Sequence, residues 1–261
     1  MNINDTRRTQ WVLTVGGIVL ALLFWHLTTE TFGLVSETKF PAPLSVYSEF
    51  TDNQELIIDN TWPTITAGFI GFGLAVVTAV LSAIFLSLNK RVENALMPIV
   101  VGANSVPRVT LAPLIIFYLG SGVAANYMIA AWVAFFPMFL NAMESLGKMS
   151  DEHQDLCDLY KASTWQEYRY IRIPNALPQI FDGMKMAIIL AMIGAVVGEF
   201  VATTEGLGYL STLALRNANM GLAFAIVGVL GLISTLAIFA IYQVQDKLIF
   251  WEDSSFFTTE A

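Results

Sequence analysis

From Pro63 to Leu88 the chain runs without a charged side chain, through a stretch dominated by Ile, Leu, Val, Phe, Ala and Gly. About 20 apolar residues are enough to cross the hydrocarbon of a bilayer as a helix, so this run alone confines the chain to a narrow set of folds. The pattern recurs. Trp11 to Leu27 is uncharged, and further apolar stretches cover about 95–119, 127–146, 180–201 and 222–249. The expected fold class is an all-α membrane protein with six transmembrane helices. Its parts are a first span at 11–29, an outer segment at 30–62, a core bundle at 63–250 interrupted by a polar stretch at 147–179, and a polar tail at 251–261. The pair Arg7 and Arg8 ahead of the first run fits a signal peptide, but no small-x-small cleavage site follows. We therefore read it as an uncleaved span.

Six spans put both termini on one side, and loop charges say which. Arg7, Arg8, Lys90, Arg91, Lys148, Lys161, Arg169, Arg172, Lys185 and Lys247 fall on the side of the termini; Lys39 and Arg216 fall opposite, and Arg108 lies within a span. Basic residues gather on the cytoplasmic side, so the termini and 147–179 are expected to be cytoplasmic and 30–62 extracytoplasmic. Composition agrees with a membrane location: 13% of residues are charged, against about 25% in soluble domains. The net charge of −8 comes largely from Glu30, Glu37, Glu49, Asp52, Glu55 and Asp59. These acids are read as a solvated outer loop, with a docking face or an adaptation to salt as alternatives. The single cysteine, Cys157, excludes an internal disulfide and a Cys-rich metal site. His26 and His153 form no metal motif, and no basic patch suggests nucleic acid. The chain has no P-loop pattern, so ATP-driven work requires a separate subunit, and no catalytic constellation stands out. Gly71-Phe72-Gly73 mimics the start of a dinucleotide fingerprint but sits inside a span and lacks the third glycine.

Three local patterns carry more information. The prolines Pro98, Pro107 and Pro113 interrupt the third span; such breaks are tolerated at membrane depth only where protein or a wet cavity satisfies the freed backbone groups. Small residues recur at spacing four: Ala75, Ala79 and Ala83 after Gly68 and Gly71, and Gly183, Ala187, Ala191 and Ala195 beside Gly194 and Gly198. Such stripes let helices approach closely in lipid. The second stripe fits packing within the chain or a contact with a second copy. The longest polar interruption, Asp155 to Pro178, reads as two short helices. Ser163 and Gln166 form a capping box opening the second helix, and Pro174 and Pro178 are expected to close it. Trp165 and Tyr168 share a face with Arg169 and Arg172 beside them. So aromatic a helix outside the membrane is expected to dock into a partner.

This stretch resembles the cytoplasmic loop of importer permeases of the ATP-binding cassette class, which carries E-A-A-x3-G-x9-I-x-L-P. The matching positions are Asp155, Leu156 and Cys157, then Lys161, then Ile171, Ile173 and Pro174. Lys161 departs from the family glycine. Asn104 to Leu114, Ile193 to Phe200 and Gly206 to Tyr209 are similar to the nitrate, sulfonate, taurine and thiamine-precursor branch, and the likeness spans most of 60–250. The resemblance implies a type I importer permease fold and a homodimer. It also implies two ATPase subunits carrying the ATP and Mg, and a solute-binding protein outside. On that reading Asp155, Leu156, Cys157, Lys161, Ala162, Ser163, Trp165, Tyr168, Ile171 and Pro174 couple the chain to the ATPase, with Trp165 and Tyr168 as main anchors.

Ionisable residues within a span are costly and usually face a cavity or the bundle interior. Arg108 and Glu199, with Asn104, are therefore candidates to line or gate a translocation path, singly or as a pair; the alternative is a structural anchor at the outer interface. A secondary transporter would need inverted repeats and ion-coupling residues, and neither is visible. A membrane scaffold would not need prolines breaking a span. The segments Lys161–Ser163 and Gly194–Phe200 resemble members handling pyrimidine precursors of thiamine or related heterocycles, ahead of sulfonates or nitrate.

Overall fold

The computed structural model describes residues 3–31, 39–249 and 251. The side chains of Arg7, Arg8 and Glu30, residue Glu37 and the tail 252–261 lie outside the described residues. The described chain is helical throughout, with eleven helices: α1 (Ile3–His26), α2 (Pro43–Asp52), α3 (Gln54–Ser87), α4 (Lys90–Asn104), α5 (Ala112–Leu119), α6 (Val123–Gly147), α7 (Asp151–Leu159), α8 (Thr164–Glu167), α9 (Ile173–Ala202), α10 (Leu207–Arg216) and α11 (Met220–Leu248). Four helical segments are long and apolar enough to cross a membrane: α3, α6, the continuous Thr164–Ala202 and α11. The bent pair α4–α5 makes a fifth if it is one span, and a shorter apolar helical stretch, Gly16–Thr29, precedes them.

The centre is a triple of α3, α6 and α9, joined through very small residues. Ala75, Ala79 and Ala83 pack against Ala134, Met138, Ala142 and Leu146 of α6, with Ala187 and Ala191 of α9 alongside. A Cβ on Gly71 would lie 2.3 Å from that of Ala130, and one on Gly194 would lie 2.8 Å from the Ala130 Cα. Three helix backbones thus converge on one alanine, which only glycine on both neighbours permits. Ala187, Ala191 and Ala195 are 0% exposed within the single chain. The second small-residue stripe is therefore filled from inside, and the alternative of an intersubunit contact along it is corrected.

The third apolar stretch is not one straight span. Lys90–Asn104 and Arg108–Leu119 are bent by 87°. Pro98 sits inside α4 without ending it, Pro107 precedes a 3-10 turn at Arg108–Leu111, and Pro113 occupies the first turn of α5, where its missing N–H costs nothing. Residues 42–62 are also more ordered than a solvated loop. Ala42 is extended and Pro43 opens α2; Asn53 then links α2 to α3. Glu49 is not free in solvent: its Oε2 accepts from Asn53 Nδ2 at 3.0 Å and from Asn219 Nδ2 at 2.9 Å. This ties α2 to the start of α11 and accounts for one of the acidic residues structurally. Ile57, Leu207, Leu210, Ala214, Leu222 and Ile226 form a second apolar cluster there. Helix α10 lies within the connection between the apolar stretches at 180–201 and 222–249.

Candidate docking segment and polar joint

Between α6 and α9 the chain makes a helical elbow. Ser150 caps α7 by accepting from the His153 N–H. Helix α7 ends in a paired turn: the Ala162 N–H reaches the Cys157 carbonyl at 2.9 Å, and the Lys161 N–H reaches that of Asp158 at 3.2 Å. These are the two bonds of a Schellman ending, which needs a left-handed residue between them. Lys161 is that residue, with φ +49°. The position where the loop pattern carries glycine is thus one where glycine is preferred, and Lys161 adopts the same backbone at a cost of about 1 kcal/mol. Lys161→Gly is expected to raise the thermal unfolding midpoint of the detergent-purified chain; an unchanged or lower midpoint would show the turn is not strained.

Ser163 then opens α8 with the complete reciprocal capping box to Gln166, as its spacing predicts. Pro174 and Pro178, however, do not close the helix. Helix runs on from Thr164 to Ala202. The reason is a π turn at Tyr168–Arg172, where the Ile173 N–H bonds back five residues to the Tyr168 carbonyl. This shifts the hydrogen-bond register immediately before Pro174, so the proline ring meets no ordinary α-turn carbonyl.

The two predicted anchors part company. Trp165 is 66% exposed and its ring meets only that of Tyr170 edge-on at 5.9 Å among the ring pairs. Tyr168 is 8% exposed: its hydroxyl donates to Ser87 Oγ at 3.0 Å, and the Arg172 guanidinium lies 5.2 Å from its ring centre. Tyr168 therefore braces the elbow against α3 and offers no surface for docking; the pairing of both aromatics on one outward face is corrected. Arg172 completes the brace by an ion pair with Glu167 and a 2.8 Å bond to the Leu146 carbonyl. Cys157 is likewise buried, whereas Asp155, Leu156 and Ser163 are exposed and Ala162, Ile171 and Pro174 are half-buried. The most exposed large apolar side chains of the elbow are Leu159, Tyr160, Trp165 and Tyr170. Three of these four escaped the sequence reading; large apolar side chains inside a charged stretch were the signal. An apolar recess of about 410 Å³ lies behind Trp165, lined by Ile84, Leu88, Tyr168 and Ile173.

Arg108 and Glu199 form no pair. The Arg108 guanidinium donates to Asn104 Oδ1, and lies 5.9 Å from the Phe136 ring centre. It thus clamps the α4–α5 bend, across which Asn104 and Arg108 are four residues apart. Glu199 is 1% exposed in α9, and its Oε2 accepts from the Gly208 N–H at 2.7 Å. Beside it, Thr64 Oγ1 accepts from the Leu207 N–H at 2.8 Å and Asn60 Oδ1 from the Gly206 N–H at 2.9 Å. Among the described residues no group of three or more His, Cys, Asp or Glu could hold a metal ion.

Residues 50–250 match the family described as binding-protein-dependent transport system inner membrane component. The riboflavin transport system permease protein of Chloroflexus aurantiacus is 32% identical over 240 residues, covering 91% of this chain and 89% of that protein. The chain belongs to this permease family. The formylaminopyrimidine transport permease protein of Halalkalibacterium halodurans is 26% identical, with 89% of this chain and 93% of that protein aligned. Among solved structures, a chain of the MetNI methionine ABC transporter in an inward-facing conformation superposes with a TM-score of 0.60 at 16% identity, over 73% of this chain and 98% of that one. The permease is thus a multi-pass membrane component of an ABC transporter with the fold of that chain.

Proposed function

We propose that this permease forms the translocation path of an ATP-driven importer at the cell membrane. It crosses six times, through α1, α3, the bent pair α4–α5, α6, α9 and α11, with both termini and the α7–α8 elbow in the cytoplasm. A second copy completes the path, two ATPase subunits bind the elbow, and an extracytoplasmic solute-binding protein delivers the solute. The chain itself does no catalysis; ATP and Mg are held by the ATPase. The observation that carries this reading is the exposed face of Leu159, Tyr160, Trp165 and Tyr170 on an elbow braced to the bundle by Tyr168 and Arg172. Apolar side chains presented on so rigid a support suit helix-in-groove recognition, and a push on the elbow passes directly into α3, α6 and α9. Asp155, Leu156, Lys161 and Ser163 form the exposed rim of that contact; Cys157, Ala162, Ile171 and Pro174 hold its shape. Asn104 and Arg108 set the angle of the broken span. A small heterocycle is the proposed solute, supported by the pyrimidine and riboflavin named for two relatives.

Vesicles test the reading. The chain alone is expected to give no uptake, and uptake is expected once its ATPase, binding protein and ATP are supplied. In a Cys157→Ser background, Tyr160→Cys is expected to react with a membrane-impermeant maleimide only when the cytoplasmic face is accessible. Unaided uptake, or labelling from the outside, overturns the assignment.

A further inference from the structure

Three successive backbone N–H groups at the start of α10 are each received by a side chain of another helix: Gly206 by Asn60, Leu207 by Thr64 and Gly208 by Glu199. A helix ordinarily leaves its first N–H groups to its own cap residue or to water. Here Gly206 stands at the cap with no side chain to offer, and the acceptors come from one face of α3, four residues apart, and from α9. The surrounding glycines are fitted to this arrangement. Gly206 has φ +103°, and a Cβ there would lie 2.3 Å from Glu199 Cδ. A Cβ on Gly208 would lie 2.7 Å from the Val196 carbonyl oxygen and 2.9 Å from Glu199 Cβ. One on Gly198 would lie 2.0 Å from Asn126 Oδ1. The sequence Glu199, then Gly206-Leu207-Gly208, therefore reads as a carboxyl group and the space made for it, with Gly198 making room for Asn126.

We propose that Glu199, with Asn60 and Thr64, is a positioning residue: it fixes α10 to the α3–α9 core by capping it from outside, and it serves transport through that placement and not by touching solute. The joint connects two of the apolar clusters of the fold, the central one of α3, α6 and α9 and the one built on Ile57, Leu207 and Leu222. A carboxyl group is well suited, because its oxygen accepts a backbone N–H at the positive end of the α10 dipole. Its remaining surface is shut in by Thr64, Asn126 and Gly206, so within this chain no face of it is open to a passing solute.

Two measurements on the full chain in lipid nanodiscs and vesicles decide this. The first is hydrogen exchange of the segment holding the 206–208 amides. Glu199→Ala is expected to speed it at least about tenfold, as a buried N–H loses its acceptor; Glu199→Gln, whose amide oxygen still accepts, should stay within about threefold of the parent. The second is uptake by the assembled transporter. Glu199→Ala is expected to lower the maximal rate per assembled complex about tenfold with the half-saturating concentration unchanged, and Glu199→Gln to restore it. Equal exchange in the parent and Glu199→Ala overturns the joint. A Glu199→Gln variant as inactive as Glu199→Ala, or a shifted half-saturating concentration, overturns the positioning role in favour of solute contact. Should Glu199→Ala fail to accumulate, Thr64→Val removes a second acceptor at constant shape and is read in the same two ways, with unchanged exchange counting against the joint. The exchange arm needs no transport, so loss of the permease reading would leave it standing.

Discussion

Trp165→Ala is expected to lower uptake by at least about tenfold while leaving the unfolding midpoint of the isolated chain unchanged. Aromatic side chains dominate interface energies, and losses of 2 kcal/mol or more on truncation are common for buried anchors, or about thirtyfold in affinity. Within the chain, however, Trp165 is two-thirds exposed, with its ring edge-on to that of Tyr170, so its removal costs the fold little. Tyr168→Phe should do the reverse. It removes a hydroxyl that bonds to Ser87 Oγ in a buried place, at a cost of about 1 kcal/mol, and it presents nothing new to a partner. The midpoint should fall, and uptake per assembled complex should stay near that of the parent. If both variants lost stability equally and uptake equally, the division of labour between an outward anchor and an inward brace would be wrong.

The same two aromatics show where local sequence patterns stop being informative. Three residues apart on a helix they share a side, and nothing nearby tells which of them turns inward. The decision is made by Ser87, 81 residues earlier in the chain. The capping box at Ser163 was legible because both of its partners lie within four residues. The proline stop was misread for a related reason: the rule assumes α geometry, and a π turn removes the conflict. Helix α10 escaped notice because its first N–H groups are received by Asn60, Thr64 and Glu199, none of them adjacent to it. The long apolar runs needed no such information, since bilayer thickness alone sets their length. Lys161 lies between these cases. The resemblance to the family loop marks it as a glycine position, and its left-handed backbone follows from the turn and not from the side chain.

Gly71→Val and Gly73→Val are two residues apart on α3 and should differ more than any other pair of variants. At Gly73 an added Cβ meets nothing within 4 Å. The substitution there changes only local helix preference, worth a few tenths of a kcal/mol. At Gly71 the first added atom would already lie 2.3 Å from Ala130 Cβ and 2.9 Å from the Ala131 backbone nitrogen. A flexible side chain could swing away, but the α6 backbone cannot move without leaving α9, because Gly194 presses the same alanine from the other side. Strain of this kind costs about 1–3 kcal/mol, and more when the backbone must yield. Gly71→Val is therefore expected to lower the unfolding midpoint sharply and to reduce the amount of folded chain recovered from membranes, with Gly73→Val close to the parent in both. Equal behaviour of the two would mean that α3, α6 and α9 do not converge at Ala130. The elbow would then lack the rigid support through which the proposed partner acts.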